Sequence, residues 1–469
     1  MAIGTILTGG ALVRLFGANL LMLRIAAWLT VAAAIVLPYC TLLDREQKRN
    51  NIHWLALAFA FLNYGAFQEF SAGTLSVLLL SAIWVCAVRP MANDKWQVLT
   101  AILAGLAVTV RLPNILVFLI LFPLWKKRSL WLVPVAALSA GLVYLTGYAL
   151  ITPVSMDPAM GSHGIGEMIN TLWERGAVLV AYLLLWVGVW AIGKQTTSYK
   201  WLPWVAGLFV GALLSYYVSV AIPTWKWYNV DLTYMVCAGC LVFALANYLT
   251  TQDQRQTTDH QILIGAAILI VATLGTDVAW LKLFPAVLCL LPVAAVQYEP
   301  AMRRYFFPVL AILAATVMIR FSINSVGSSN LRVSNTPSQI APYTHIRIME
   351  KEENWLQQII ADHDSLTHAH RTNVLAFGSE MHLMRAITGC QTALYNEFWS
   401  NIYDSVYTAK YEPIIETQQP IVFCSFTPRF KKETDRDMES LLEKMLRAHG
   451  YREIDRSDYK YMIYVPNGK

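Results

Sequence analysis

The sequence predicts a polytopic α-helical membrane protein that ends in a small α/β domain. Of its 469 residues, 56% are hydrophobic and only 14% are charged, whereas a soluble domain carries about 25% charged residues. Apolar runs fill residues 5–321. From Ser322 onward charges are frequent, and no run reaches the ~18 apolar residues that a membrane-spanning helix needs. We therefore expect a membrane domain over residues 1–321 and a soluble domain over residues 322–469.

Short breaks separate the apolar runs of the membrane domain and give about 12 predicted spans. They cover residues 19–43, 52–67, 71–89, 96–111, 113–125, 129–150, 174–194, 202–222, 229–250, 261–276, 279–296 and 305–321. The runs at 96–111 and 113–125 are shorter than the ~20 residues of a typical span. We expect these two to be tilted, re-entrant or packed inside the protein.

The positions of Lys and Arg predict which side each break faces, because cytoplasmic loops are rich in basic residues. Alternating the sides puts four groups on one face, which we interpret as cytoplasmic: Lys48 and Arg49; Lys126, Lys127 and Arg128; Lys194 and Lys200; Arg303 and Arg304. The same count puts both the N-terminus and the soluble domain on the outer side. The net charge of +6 then reflects membrane anchoring, and no basic block with interleaved aromatic residues indicates a nucleic-acid partner.

The C-terminal domain shows the strand and helix alternation of an α/β fold. Short apolar runs predict strands at 373–378 (NVLAFG), 420–425 (PIVFCS) and 459–466 (YKYMIYVP). Helical periodicity predicts helices at 379–387 and 432–450, the second ending at Gly450. We interpret the domain as a cap over a site in the membrane domain.

The segment DHDSLTHAH, just ahead of the first predicted strand, gathers five side chains that can bind metals. They are Asp362, His363, Asp364, His368 and His370. The spacing matches no zinc pattern and no Cys lies close by. We interpret the segment as a solvated polar stretch between elements and assign no metal ligands.

Two segments of the membrane domain carry a resemblance to a known family. LVRLFGANLLMLRIAAWLTVAAAIVLPYCTLL (12–43) combines an apolar run containing Arg14, a break at Gly17 and a second run containing Arg24. It resembles the entry to the second span of bacterial GT-C glycosyltransferases, the polyprenyl-phosphate-sugar-dependent enzymes related to aminoarabinose transferases and protein O-mannosyltransferases. AILAGLAVTVRLPNILVFLILFPLWKK (101–127) is similar to that family's short paired spans. The resemblance implies a GT-C-like membrane domain, an amphipathic helix before Gly17, and sugar transfer at the outer face of the bacterial inner membrane.

The start of the chain departs from that family. There, a further span precedes the amphipathic helix, and the loop after that span carries the acidic residue regarded as the catalytic base. Residues 1–10 contain no Asp or Glu. Either the protein starts upstream of Met1, or it has lost the base. The predicted topology, which leaves the N-terminus outside, favours the first explanation.

Sugar transfer from a lipid phosphate needs a cation for the anionic leaving group. Arg111 is our main candidate, because it follows an uncharged helix at the outer face and matches the family's basic residue. The alternative is a boundary Arg that extends toward the headgroups. Lys226 and Arg320 are further candidates for binding the donor phosphate, or membrane anchors.

The acceptor needs a carboxylate to take its proton, and two acidic residues in outer turns are candidates. Glu69 lies in FQEFS, where the family often has a second acidic residue, and Asp277 lies in a short turn that favours Asp for backbone reasons. His163 and Glu167, in the 151–173 loop, and Tyr228, in PTWKWYNVD, are candidates for acceptor binding. Their alternatives are an ordinary exposed loop and an interfacial aromatic belt.

The resemblance also implies the partners. They are a polyprenyl-phosphate-linked sugar donor, a glycan, lipid or protein acceptor, and the lipid bilayer, with the C-terminal domain in the periplasm. It leaves the cofactor open, a divalent cation being the candidate. The alternative functions are a lipid-linked sugar transporter or flippase, for which we see no internal repeat, and a catalytically inactive GT-C-like protein.

Overall fold

The structure, a computed structural model, describes about half of the chain. It describes residues 3–17, 19–43, 71–89, 94–125, 128–150, 256–271, 336–344, 346–370, 373–377, 384–388, 404–424, 443–459 and 461–467, with scattered positions between 180 and 293. The chain packs as two compact units, the first made mostly of residues 1–331 and the second mostly of residues 332–469. The boundary predicted between residues 321 and 322 lies outside the described residues.

The N-terminal unit, called the helical unit below, is built from α-helices. They are α1 (Ile3–Phe16), α2 (Leu20–Leu42), α3 (Ala72–Val88), α4 (Asp94–Val110), α5 (Val117–Trp125), α6 (Ser129–Leu150) and α7 (Gln256–Ile270), with a 3-10 turn at Leu112–Leu116 between α4 and α5. Helices thus occupy the described parts of the spans predicted at 19–43, 71–89, 96–111, 113–125, 129–150 and 261–276. The runs at 52–67, 174–194, 202–222, 229–250, 279–296 and 305–321 lie wholly or largely outside the described residues. The total of about 12 spans therefore stays a prediction.

Two described helices, α2 and the Leu130–Leu150 part of α6, are long and apolar enough to cross a bilayer. Shorter apolar helices accompany them, among them Ile3–Phe16 and Ala72–Val88. The break predicted at Gly17 is confirmed, because α1 ends at Phe16 and α2 begins at Leu20. Gly17 has φ +78°, a conformation that side chains with a Cβ rarely adopt. Asn19 then caps α2, since its Oδ1 accepts a hydrogen bond of 2.9 Å from the Leu21 amide.

Small residues allow the helices of this unit to approach closely. A Cβ placed on Gly105 of α4 would overlap the Ala136 carbonyl oxygen and Ser139 Oγ of α6. Ser139 Oγ in turn donates to the Ile102 carbonyl at 3.1 Å. Such small-residue contacts are typical of helix packing in membranes, where no hydrophobic effect drives helices together.

A buried tryptophan joins α3 to α7. Trp84 is fully buried, and its indole lies against Gly265, where a Cβ would overlap the ring. Its Nε1 donates to the Gln261 carbonyl at 2.8 Å, so the polar end of the indole is satisfied. α3 also contacts α2, because Ser81 Oγ donates to the Ala34 carbonyl at 2.7 Å.

The C-terminal unit is an α/β domain, as predicted. Its elements are β1 (Thr336–Pro337), β2 (Arg347–Ile348), α8 (Glu350–His370), β3 (Val374–Phe377), α9 (Met384–Thr388), α10 (Asp404–Gln418), β4 (Ile421–Cys424), β5 (Tyr451–Arg456) and β6 (Tyr461–Pro466). The sheet has the order β3-β4-β6-β5, with β3 and β4 parallel and the other pairs antiparallel. β1 and β2 form a separate antiparallel pair. The three predicted strands are confirmed, and β5 is an addition.

Helices cover both faces of this sheet. On one face, Ile359 of α8 and Met384 of α9 pack against Phe423 and Ile463. On the other, Tyr411 and Ile415 of α10 pack against Val422 and Tyr464. β4 is therefore buried along its whole length, which explains its continuous apolar sequence.

Two further predictions for this domain concern single elements, the helix that ends at Gly450 and the segment DHDSLTHAH. The helix predicted to end at Gly450 is confirmed over residues 443–448, and Gly450 has φ +75°. The interpretation of DHDSLTHAH as a stretch between elements is wrong, because residues 362–370 form the second half of α8. Asp362 and His363 are buried in that helix rather than solvated.

Candidate functional site

Arg111 lies at the sharp break between α4 and the 3-10 turn. Its backbone is extended, with φ −150° and ψ 126°, and Pro113 follows at the start of the turn. Proline has no N–H to donate and crowds the preceding turn, so α4 cannot continue through it. The Arg111 amide makes the last helical hydrogen bond, to the Ala107 carbonyl at 3.1 Å, and its carbonyl accepts from the Asn114 amide at 3.0 Å. The backbone of Arg111 is thus held on both sides.

The Arg111 side chain is buried, with 8% of the residue exposed. A guanidinium keeps its charge in a protein, and burying it costs hydration that polar partners must replace. A buried cation at the end of a helix is uncommon, since the charged end of an anchoring residue extends into water. Its burial makes Arg111 a candidate functional residue.

Asn114 fixes the turn that follows Arg111. It is fully buried, and its Nδ2 donates to Ser76 Oγ at 2.9 Å and to the Ala107 carbonyl at 2.8 Å. One side chain therefore joins the ends of α3 and α4 to the turn. The sequence analysis missed this residue, and the signal available was an Asn placed directly after the Leu-Pro pair that breaks the helix.

The amide oxygen of Asn114 is a buried acceptor. Within the part of the chain that the structure describes, Asn114 Oδ1 has no hydrogen-bond donor. A buried acceptor without a donor costs about 1–3 kcal/mol. Buried groups of this kind usually have a bound water or ligand as partner. Arg111 and Asn114 together therefore offer a cation and an acceptor within one turn.

Arg111 and Arg128 lie at opposite ends of α4. Arg128, just before α6, pairs with Asp94 and donates to Gln97 Oε1 at 3.3 Å, both in the first turn of α4. Arg111 follows the last turn of the same helix, whose 17 residues correspond to a length of roughly 25 Å. Which of these two ends faces the cytoplasm stays a prediction.

The roles of the other predicted site residues stay predictions. These residues lie outside the part of the chain that the structure describes: Glu69, His163, Glu167, Lys226, Tyr228, Asp277 and Arg320. Among the residues that the structure does describe, no group of three or more His, Cys, Asp or Glu could hold a metal ion.

The C-terminal unit holds an ion pair between the buried Asp362 and the partly exposed Arg456. Arg456 donates to both carboxylate oxygens of Asp362, each at 2.8 Å, and the Tyr461 hydroxyl donates to Asp362 at 2.6 Å. Burial by itself raises the pKa of Asp362, but hydrogen bonds from Arg456, Tyr461 and Gln358 outweigh it, so the pKa lies below its usual range. All donors come from the domain itself, which points to a structural role in joining α8 to β5 and β6.

Compared with known protein families, with curated proteins and with solved structures, the chain has no significant match.

Proposed function

We propose that the chain is a membrane glycosyltransferase that moves a sugar from a polyprenyl-phosphate donor to a glycan, lipid or protein acceptor. The observation that carries the proposal is Arg111. It is a nearly buried cation, held by a rigid turn, at the end of the helical unit opposite the basic residue Arg128. We place the reaction at the outer face of the bacterial inner membrane, with the C-terminal unit in the periplasm.

The exposed surface of α6 supports a membrane location. Leu138, Leu142 and Leu145 have 65%, 57% and 69% of their surface exposed, and their spacing puts them on one side of the helix. An exposed stripe of leucines is unfavourable in water. It is favourable against lipid, where apolar side chains face a solvent of the same character.

The proposed reaction breaks the bond between the sugar's anomeric carbon and the phosphate oxygen, and forms a bond from that carbon to the acceptor oxygen. The departing polyprenyl phosphate carries negative charge, and the planar guanidinium of Arg111 can donate two hydrogen bonds to it. We propose that Lys226 and Arg320 contribute further positive charge that stabilises the same phosphate. The acceptor proton passes to a carboxylate, for which Glu69 and Asp277 are the proposed bases, while His163, Glu167 and Tyr228 orient the acceptor.

The test is transfer from a radiolabelled polyprenyl-phosphate sugar in purified membranes. We expect Arg111→Ala to lower the transfer rate about 100-fold, the scale seen when one stabilising donor is removed from an active site. Arg111→Lys should retain part of the rate, because it keeps the charge but not the planar pair of donors. Arg14→Gln, which removes an exposed Arg from α1, is the matched control and should transfer like the parent.

Equal transfer by the parent and Arg111→Ala would remove Arg111 from the mechanism. A parent that transfers no sugar, but moves the labelled lipid between leaflets of proteoliposomes, would instead support a flippase. Expression level and thermal stability of each variant must be measured in parallel, so that a loss of folded protein is not taken for a loss of catalysis.

A further inference from the structure

A second site lies at the other end of α4, away from Arg111. A cleft there is lined by Cys86 and Arg89 at the end of α3, by Trp96, Gln97 and Thr100 at the start of α4, and by Trp125 at the end of α5. The space inside the cleft that a water-sized group can occupy is about 10 Å³, which is room for about one water molecule. A larger ligand would therefore contact the open mouth of the cleft rather than fill it.

Arg89 is the charged group of this cleft. Its guanidinium carbon lies 4.3 Å from the centroid of the Trp96 ring, which is a cation–π contact. Arg128 at the same end is paired with Asp94. By contrast, no carboxylate in the described part of the chain makes an ion pair with Arg89. Stacking covers one face of the guanidinium and leaves its N–H edge to donate to an anion.

An aromatic stripe leads away from the cleft along α5. It consists of Phe118, Phe122 and Trp125, with ring centroids 5.8 Å apart for the first pair and 6.3 Å apart for the second. Phe122 is 41% exposed, whereas Trp125 is buried and lines the cleft. A charged mouth with the exposed apolar ring of Phe122 beyond it matches an amphiphile better than a free inorganic anion.

We propose that the cleft binds the headgroup of an anionic phospholipid. The phosphate contacts the N–H edge of Arg89, and one acyl chain lies along the aromatic stripe of α5. Charge complementarity selects this occupant, since Arg89 is the charged residue that lines the cleft, and the cytoplasmic leaflet to which we assign it is rich in anionic lipids. The proposal shares with the proposed function the requirements that the helical unit lies in a bilayer and that the Arg89 end faces the cytoplasm, but it does not require sugar transfer.

The test measures thermal unfolding of the full chain, purified in a neutral detergent. Three additions are compared: phosphatidylglycerol, phosphatidylcholine with the same acyl chains, and inorganic phosphate. We expect phosphatidylglycerol to raise the Tm by about 3 °C more than phosphatidylcholine, and inorganic phosphate to have no effect. Arg89→Gln should abolish the difference between the two lipids. Lys95→Gln, which removes one charge from the same end, should keep most of it.

Three results would overturn the proposal. Phosphatidylglycerol could raise the Tm no more than phosphatidylcholine does, inorganic phosphate could raise the Tm as much as phosphatidylglycerol does, or Arg89→Gln could keep the full Tm difference between the two lipids. If Arg89→Gln does not fold, Arg89→Lys replaces it as the test variant. Arg89→Lys should lose at least half of the Tm difference between the two lipids, because Lys lacks the planar group that contacts the Trp96 ring. The readout needs no sugar transfer, so it can fail or succeed independently of the test on Arg111.

Discussion

At the scale of single residues, the structure separates polar groups that satisfy one another from a buried polar group that has no partner among the described residues. Asp362 and Arg456 satisfy each other inside the C-terminal unit, and Tyr461 completes the carboxylate's hydrogen bonds. In the helical unit, the turn that follows Arg111 holds Asn114, whose amide oxygen has no donor among the described residues. Loss of the Asp362–Arg456 pair is expected to affect stability, whereas the unsatisfied oxygen of Asn114 is a position where a ligand or a water molecule can bind.

Removal of Arg456 should weaken the C-terminal unit. In Arg456→Leu the buried Asp362 carboxylate keeps Tyr461 but loses its charged partner, which we expect to cost about 2 kcal/mol. Because the Arg456 side chain is 35% exposed, the cost should be less than for a fully buried pair. Hydrogen exchange at the amides of β6 in the full chain should accelerate about 30-fold. Arg452→Leu, an exposed Arg on the same strand, should change little, and an equal effect of both substitutions would contradict a specific role for the pair.

The same pair predicts a dependence of stability on pH. The pKa of Asp362 is lowered in the folded protein, so its contribution is complete above the ordinary Asp pKa of about 3.9. It is lost as the pH falls through the lowered pKa of the folded state. Resistance of the C-terminal unit to pepsin should therefore be higher in the parent than in Asp362→Asn at pH 5. The two should converge in stronger acid, and a difference that stayed constant with pH would argue against ionisation of Asp362.

At the scale of elements, apolar patterning predicts some segments and misses others for a physical reason. β4 is buried on both faces and reads as a continuous apolar run, IVFC, which the sequence analysis found. β5, YREIDR, lies at the sheet edge with charged residues exposed, so hydrophobicity alone does not reveal it. α8 was missed although Glu350, Glu352 and Glu353 in its first turn are a helix-start signal.

The same limit applies to the candidate site. Arg111 could be singled out as a candidate, because residues 96–110 before it contain no charged residue and a lone cation is conspicuous in an apolar sequence. The role of Asn114 could not, since it depends on Ser76, 38 residues earlier in the chain. Contacts between distant segments leave no periodic signal in a sequence, and only the fold brings these residues together.

Close packing of α4 on α6 gives a prediction with an internal control. A methyl group at Gly105 would overlap the Ala136 carbonyl oxygen, which cannot move without moving α6, whereas a Cβ at Gly141 of α6 has no neighbour within 4 Å. Gly105→Ala should therefore destabilise the helical unit by about 1–3 kcal/mol. Gly141→Ala should be neutral or slightly stabilising, because Ala favours helix. The measurement is the Tm of each variant in detergent, and a Gly105→Ala protein as stable as the Gly141→Ala protein would mean that the two helices do not pack in this way.

At the scale of the whole molecule, the two proposed sites belong to opposite ends of one bundle. The cleft at Arg89 and the turn at Arg111 are separated by the length of α4, roughly 25 Å for its 17 residues. That distance is close to the ~30 Å thickness of a bilayer's hydrocarbon core. A protein with this arrangement can bind an anionic lipid at one surface and act on a lipid phosphate at the other, provided that its orientation is fixed.

Orientation is therefore the prediction on which both proposals depend. Leu112, 62% exposed, follows Arg111, and Lys95, exposed, lies in the first turn of α4. We expect a membrane-impermeant maleimide to label Leu112→Cys in intact cells and Lys95→Cys only after the cells are permeabilised, with the parent's native cysteines giving the background. The reason is that basic loops are retained in the cytoplasm, which keeps the end of the bundle with Arg128 inside. The reverse pattern would put Arg111 in the cytoplasm, where a periplasmic sugar transfer could not use it, and the Arg89 cleft in the outer leaflet.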